Sequence, residues 1–98
     1  MGLVSFETTS GTTHSLTTVA SEKVLVIAKG ICTPGGSGTV NLQYNGVTKD
    51  SVTVSMPSGG DTDFCLMYTE TPGAATQNIA ITGSSGNEKI IVIKLKQS

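Results

Sequence analysis

His14 is the only histidine in the 98-residue chain, so acid–base chemistry near neutral pH would have to converge on it. Ser10 or Ser15, with any aspartate, could be imagined as the rest of a hydrolase triad. The Gly-x-Ser-x-Gly elbow that exposes such a nucleophile is missing. A lone histidine in a Thr-rich stretch reads as an ordinary surface residue. Two cysteines, Cys32 and Cys65, have no Cys-x-x-Cys spacing. With one histidine they fall short of the four ligands of a structural zinc site. They read as half-buried thiols packing like small hydrophobes, with a disulfide as the alternative. Asp61 and Asp63, joined by Asp50 if folding brings it near, suggest calcium. Calcium takes six to eight oxygens, and Gly-Gly-Asp-Thr-Asp is equally an ordinary turn entering a strand. Gly35-Gly36-Ser37-Gly38 lacks the Lys-Ser/Thr and following helix of a phosphate loop, and reads as a flexible connection. No catalytic, metal-binding or cofactor-binding set emerges, and an enzyme is not expected.

Tyr44 and Tyr68 could stack on a sugar ring, but each falls on the apolar side of its segment, where packing is the default. All six basic residues are lysines, and the net charge is −1. Without arginine or a basic stripe, nucleic acid is not an expected partner. Lys89, Lys94 and Lys96 cluster in the last segment, where they could meet an acidic partner or, the favoured reading, guard a sheet edge against stray pairing. The start, Met1 to Ser5, has no basic region and no long apolar stretch, so it does not read as a signal peptide. A leader already removed would leave the same sequence. The apolar runs Val24–Ala28 and Ile90–Ile93 are too short to span a bilayer, and no membrane association is expected.

The elements that would position these residues are strands. Val, Ile and Thr alternate with polar residues, and Gly, Pro, Asn and Asp punctuate the runs. No stretch has an apolar stripe at helical spacing. The pattern predicts about eight strands: 2–9, 12–20, 23–33, 39–44, 47–56, 62–71, 76–82 and 88–97. Asn45-Gly46 between alternating runs predicts a type I′ hairpin, because both central residues need positive φ. Asp50 marks a bulge or a strand limit. The length allows one domain, with residues 1–21 as an N-terminal strand or arm and 22–98 as the sandwich core.

Two segments are apolar on both faces. In KVLVIAKGICT, Val24, Val26, Ala28 and Cys32 alternate with Leu25, Ile27 and Ile31; in EKIIVIKLKQ, Ile90 and Val92 alternate with Ile91, Ile93 and Leu95. A sandwich of this length has one core, so the second apolar face needs another cover. A subunit or lattice interface is the economical cover. The residues expected in it are Leu3, Val4, Phe6, Leu25, Ile27, Ile31, Ile90 and Val92.

The order of segments carries a resemblance. VLVIAKGI is followed by the hairpin TVNLQYNGVTKDSVTVSM, then FCLMYTETPGAATQNIAIT, then IIVIKLK. This layout is similar to the C-terminal half of the tumour-necrosis-factor/C1q-like jelly roll. It resembles more closely the small jelly-roll modules of tailed-bacteriophage tail fibres and head decoration, or cement, proteins. The resemblance covers residues 23–97 and implies an all-β, two-sheet antiparallel sandwich of jelly-roll type. It further implies a homo-oligomer, typically a trimer, on a virion capsid surface, assembled in the host cytoplasm and bound to the major capsid protein or another virion protein. Host glycan is the alternative partner, although Trp is absent and aromatic residues make up 4% of the chain. No cofactor is implied. The start at Met1 favours a free-standing small protein over the tip of a long fibre.

Overall fold

The computed structural model describes residues 2–32, 37–55 and 62–96. The expected loop at 34–36, the turn at 57–61 and Asp61 of the calcium pair lie outside the described residues. Eight strands run in order: β1 (Gly2–Ser10), β2 (Thr13–Thr18), β3 (Glu22–Cys32), β4 (Ser37–Tyr44), β5 (Val47–Ser55), β6 (Thr62–Glu70), β7 (Ala75–Thr82) and β8 (Gly86–Lys96). The first sheet has the order β1-β8-β3-β6 and the second β2-β7-β4-β5.

The pairing is nested. β4 pairs with β5 across the hairpin, β3 with β6, β2 with β7 and β1 with β8, all antiparallel. The chain is thus one long hairpin rolled so that successive strand pairs alternate between two sheets. The further pairings β3–β8 and β4–β7 close each sheet. The alternating pattern predicts the strands, and their nested order is the jelly-roll arrangement that the resemblance implies. Residues 2–10 and 13–18 are integral strands of the two sheets, so the N-terminal segment is strand and not arm.

Local chemistry sets the corners. Asn45 (φ 53°) and Gly46 (φ 80°) both take the left-handed conformation of a type I′ turn. A register shift between Leu42 and Gln43 leaves Lys49 unpaired in β5, a bulge beside Asp50 that strengthens local twist. Asp50 Oδ2 then accepts a hydrogen bond from Met67 N (3.1 Å), tying the edge of the second sheet to the edge of the first. Gly83 has φ 86°, and a Cβ there would lie 2.2 Å from the carbonyl oxygen of Thr39.

The core fills the space between the sheets. Val24, Val26, Ala28, Leu66, Ile90 and Val92 from the first sheet meet Leu16, Val40, Leu42, Ile79 and Ile81 from the second. Cys32 is buried among them, whereas Cys65 is exposed and both thiols are free. The two cysteines are therefore unlike, and the half-buried reading holds for neither. Tyr44 is buried with its ring 5.5 Å from that of Tyr68.

Candidate functional site: the outer face of the first sheet

A strand sends alternate side chains to opposite faces, so register decides what each face of the first sheet carries. Across β1, β8, β3 and β6 the outward side chains form rows. Leu3, Leu95 and Lys23 make the first row, and Phe6, Ile93, Leu25 and Thr69 the second. Thr8, Ile91, Ile27 and Met67 make the third, and Ser10, Lys89, Lys29 and Cys65 the fourth. Ile31 stands beyond them, opposite Asp63. Eight large apolar side chains thus form one continuous plain across four strands. Leu3 is 66% exposed, Phe6 60% and Met67 56%; Leu25, Ile27, Ile91, Ile93 and Leu95 are half-buried by one another.

The structure sorts the expected interface residues into two groups. Leu3, Phe6, Leu25, Ile27 and Ile31 share this outer face, and Val4 stands exposed at a bulge in β1 between Leu3 and Ser5. Ile90 and Val92 do not belong: both are 0% exposed in the core. Their registers decide it, because Ile90 pairs with Ala28 and Val92 with Val26, both inward residues of β3. Ile91, Ile93 and Leu95 take their place outside. The misleading signal was Lys94, which shares the inward face with Ile90 and Val92. At the open end of the sandwich its ammonium donates to Thr17 O (2.9 Å) and lies 3.5 Å from Glu7 Oε2, so it enters the interior edge already satisfied.

The lysines of β8 do not guard an edge, because β8 lies between β1 and β3. Lys89 instead stands beside Lys29, its cross-strand neighbour on the outer face. Among the described residues neither forms an ion pair. Two shallow depressions also open on this face. One, of about 370 Å³, is lined by Lys29, Ile31, Asp63, Cys65 and Asn87 over a floor of Gly30 and Phe64. The other, of about 430 Å³, lies between Leu25, Met67, Tyr68 and Thr69.

The outer face of the second sheet has the opposite chemistry. Thr13, Ser15 and Thr17 of β2, Thr76, Asn78, Ala80 and Thr82 of β7, Thr39, Asn41 and Gln43 of β4, and Thr48, Ser51 and Thr53 of β5 point outward. None is charged. Asn41 Nδ2 donates to Thr82 Oγ1 (3.2 Å), and the hydroxyls of Thr39 and Thr53 pair across β4 and β5 at 3.4 Å.

His14 lies inside the sandwich edge and not on the surface. Its Nε2 is 3.1 Å from Glu7 Oε1, and its Nδ1 meets the Thr9 hydroxyl. A carboxylate only accepts, so Nε2 carries the proton and, in the neutral ring, Nδ1 accepts from Thr9. The connectivity of hydroxyl, imidazole and carboxylate is that of a hydrolytic triad. Its hydroxyl comes from Thr9, however, whereas Ser10 and Ser15 point to the two outer faces. Thr9 faces the gap between the sheets, and neither depression touches it. The arrangement joins β1 to β2 as a latch. Asp63 and Asp50 are also kept apart in role: Asp63 lies on the outer face, and Asp50 is engaged by Met67 N.

Comparison of the chain with protein-family models, with curated proteins and with solved structures finds no match in any of the three.

Proposed function

We propose that the chain is a non-enzymatic structural protein that works by assembly: a virion component that self-associates and fastens to a capsid as a head decoration, or cement, protein does. The apolar outer face of the first sheet carries this reading. Burial of apolar area is the main driving force of association, and a plain of eight large apolar side chains on so small a domain has no cover among the described residues. A decoration protein adds buried area to a lattice and so resists internal pressure, which requires adhesive faces and no chemistry. The test is to purify intact particles and count copies of the chain in each. A fixed number matching the capsid lattice is the expected result; absence from the particles rejects the reading.

A second reading, a tail-fibre or receptor-binding module for host glycan, draws on the other face. Twelve outward side chains of the second sheet offer hydroxyl and amide groups without a single charge, a chemistry suited to a neutral polyhydroxylated ligand. Binding on a glycan array that is lost in Asn41→Lys would favour this reading over the first.

A further inference from the structure

We infer, taking the outer face of the first sheet as the assembly surface proposed above, that a second copy of the chain covers it in a two-fold pair whose strands run antiparallel. Area comes first. β8 has eleven residues; at ~3.4 Å per residue, and with four strands ~4.8 Å apart, the face measures about 700 Å². With the axis at the Phe6–Ile93–Leu25 row, two residues from the middle of β8, about seven of the eleven residues overlap, and two such faces bury about 900 Å² together, a small interface. The face also has the anatomy of an interface, with an apolar centre and a charged rim. Phe6, Ile93, Leu25, Ile91, Ile27 and Met67 form the centre; Lys23 stands at one end, and Lys29 and Lys89 at the other.

Charge then selects the orientation. A two-fold axis along the strands would lay the Lys29–Lys89 row of each copy over the same row of its partner, bringing four ammonium groups together. Such juxtaposition is strongly unfavourable. An axis across the strands at the Phe6–Ile93–Leu25 row places each lysine row just beyond the partner's Leu3–Leu95 row. There the lysine stems cover leucine while the charged heads stay in water, with the second copy's Lys23 two residues along the strand instead of four ammonium groups directly opposed. Two like faces lie directly against each other only in an isologous pair. Three copies around an axis meet heterologously, face against edge, and leave apolar area open. The pair therefore departs from the trimer implied by the resemblance. It leaves the uncharged face of the second sheet outermost on both sides.

Sedimentation equilibrium of the whole chain at micromolar concentration tests the pair. The expected mass is twice that of the 10.0 kDa chain. Ile93→Lys buries an unpaired charge at the axis and should raise the dissociation constant about a hundredfold or more. Phe6→Ser should act in the same direction, and Thr76→Lys on the opposite face should change nothing. Both substituted outer-face side chains are at least partly exposed in the protomer, so an unchanged thermal transition at concentrations that keep protomers apart separates lost pairing from lost folding. A monomeric or trimeric wild type, or a dimer indifferent to Ile93→Lys, overturns the inference. Orientation is read by oxidative cross-linking in a Cys65→Ser background. Ile93→Cys should join the two copies and Lys29→Cys should not; cross-linking through Lys29→Cys overturns the antiparallel arrangement. Particle counts with the wild type are read separately. A dimer missing from particles rejects the decoration role alone, and a monomer or trimer present on particles rejects the pair alone.

Discussion

Leu25 and Ile93 stand side by side on the outer face of the first sheet, and their chain neighbours Val26 and Val92 form the matching pair on its inner face. The same two strands thus present an apolar pair to the core and another to the outside. Stability and assembly are therefore carried by different side chains, adjacent in sequence and separable by mutation.

Val92→Ala should lower the unfolding free energy by about 2 kcal/mol, since Val92 is fully buried and its removal opens a cavity. Ile91→Thr, one residue away and facing outward, should cost less than ~1 kcal/mol. Urea denaturation at concentrations that keep protomers apart measures both. Equal losses would contradict the assignment of faces.

The latch between β1 and β2 should show coupling. Glu7→Gln weakens and His14→Ala removes their shared contact at the sandwich edge, where Glu7 also faces Lys94 and His14 also meets Thr9. A double-mutant cycle should return a coupling of about 0.5–1 kcal/mol for this partly exposed pair. Zero coupling would show that β1 is held by its ladder with β8 alone.

Gly83→Ala should be among the costliest single changes. The residue has positive φ, and the added Cβ would meet the Thr39 carbonyl oxygen at 2.2 Å. Backbone strain and displacement of β4 should together cost about 2–4 kcal/mol, seen as a fall in the urea midpoint. A loss within ~0.5 kcal/mol would mean that the β7–β8 corner relaxes freely.

Alkaline stability should depend on Tyr44. Burial, with a further push from the Glu70 carboxylate and Tyr68, holds its phenol well above the ordinary range. A raised folded-state value favours the protonated form, so this contribution is fully present below the unfolded phenol value of ~10 and is lost as pH rises above it. Tyr44→Phe should flatten that alkaline decline. Among the described residues the buried Tyr44 hydroxyl also finds no hydrogen-bond partner, so the same change should be neutral or stabilising by about 1 kcal/mol at pH 7. A marked loss of stability at pH 7 would show that the hydroxyl is satisfied in solution.

Much of this fold was legible before any contact was known. The eight strands, the Asn45-Gly46 turn and the bulge beside Asp50 follow from alternation and turn chemistry, which act over a few residues. The surplus of apolar surface was legible too, because β3 and β8 are apolar at consecutive positions. The latch was not: Glu7, Thr9 and His14 are close in sequence, yet they meet only because β1 and β2 enter different sheets.

The sequence by itself determined that this chain is all strand, where the strands turn, and that they carry more apolar surface than one core uses. Only the tertiary structure decided which surface is left over. Ile90 with Val92 and Ile91 with Ile93 are equally apolar, so local pattern cannot choose between them. The choice falls to register with β3, since a shift of one residue exchanges every side chain between faces, and to the Thr17 carbonyl and Glu7 carboxylate that receive Lys94 at the sandwich mouth.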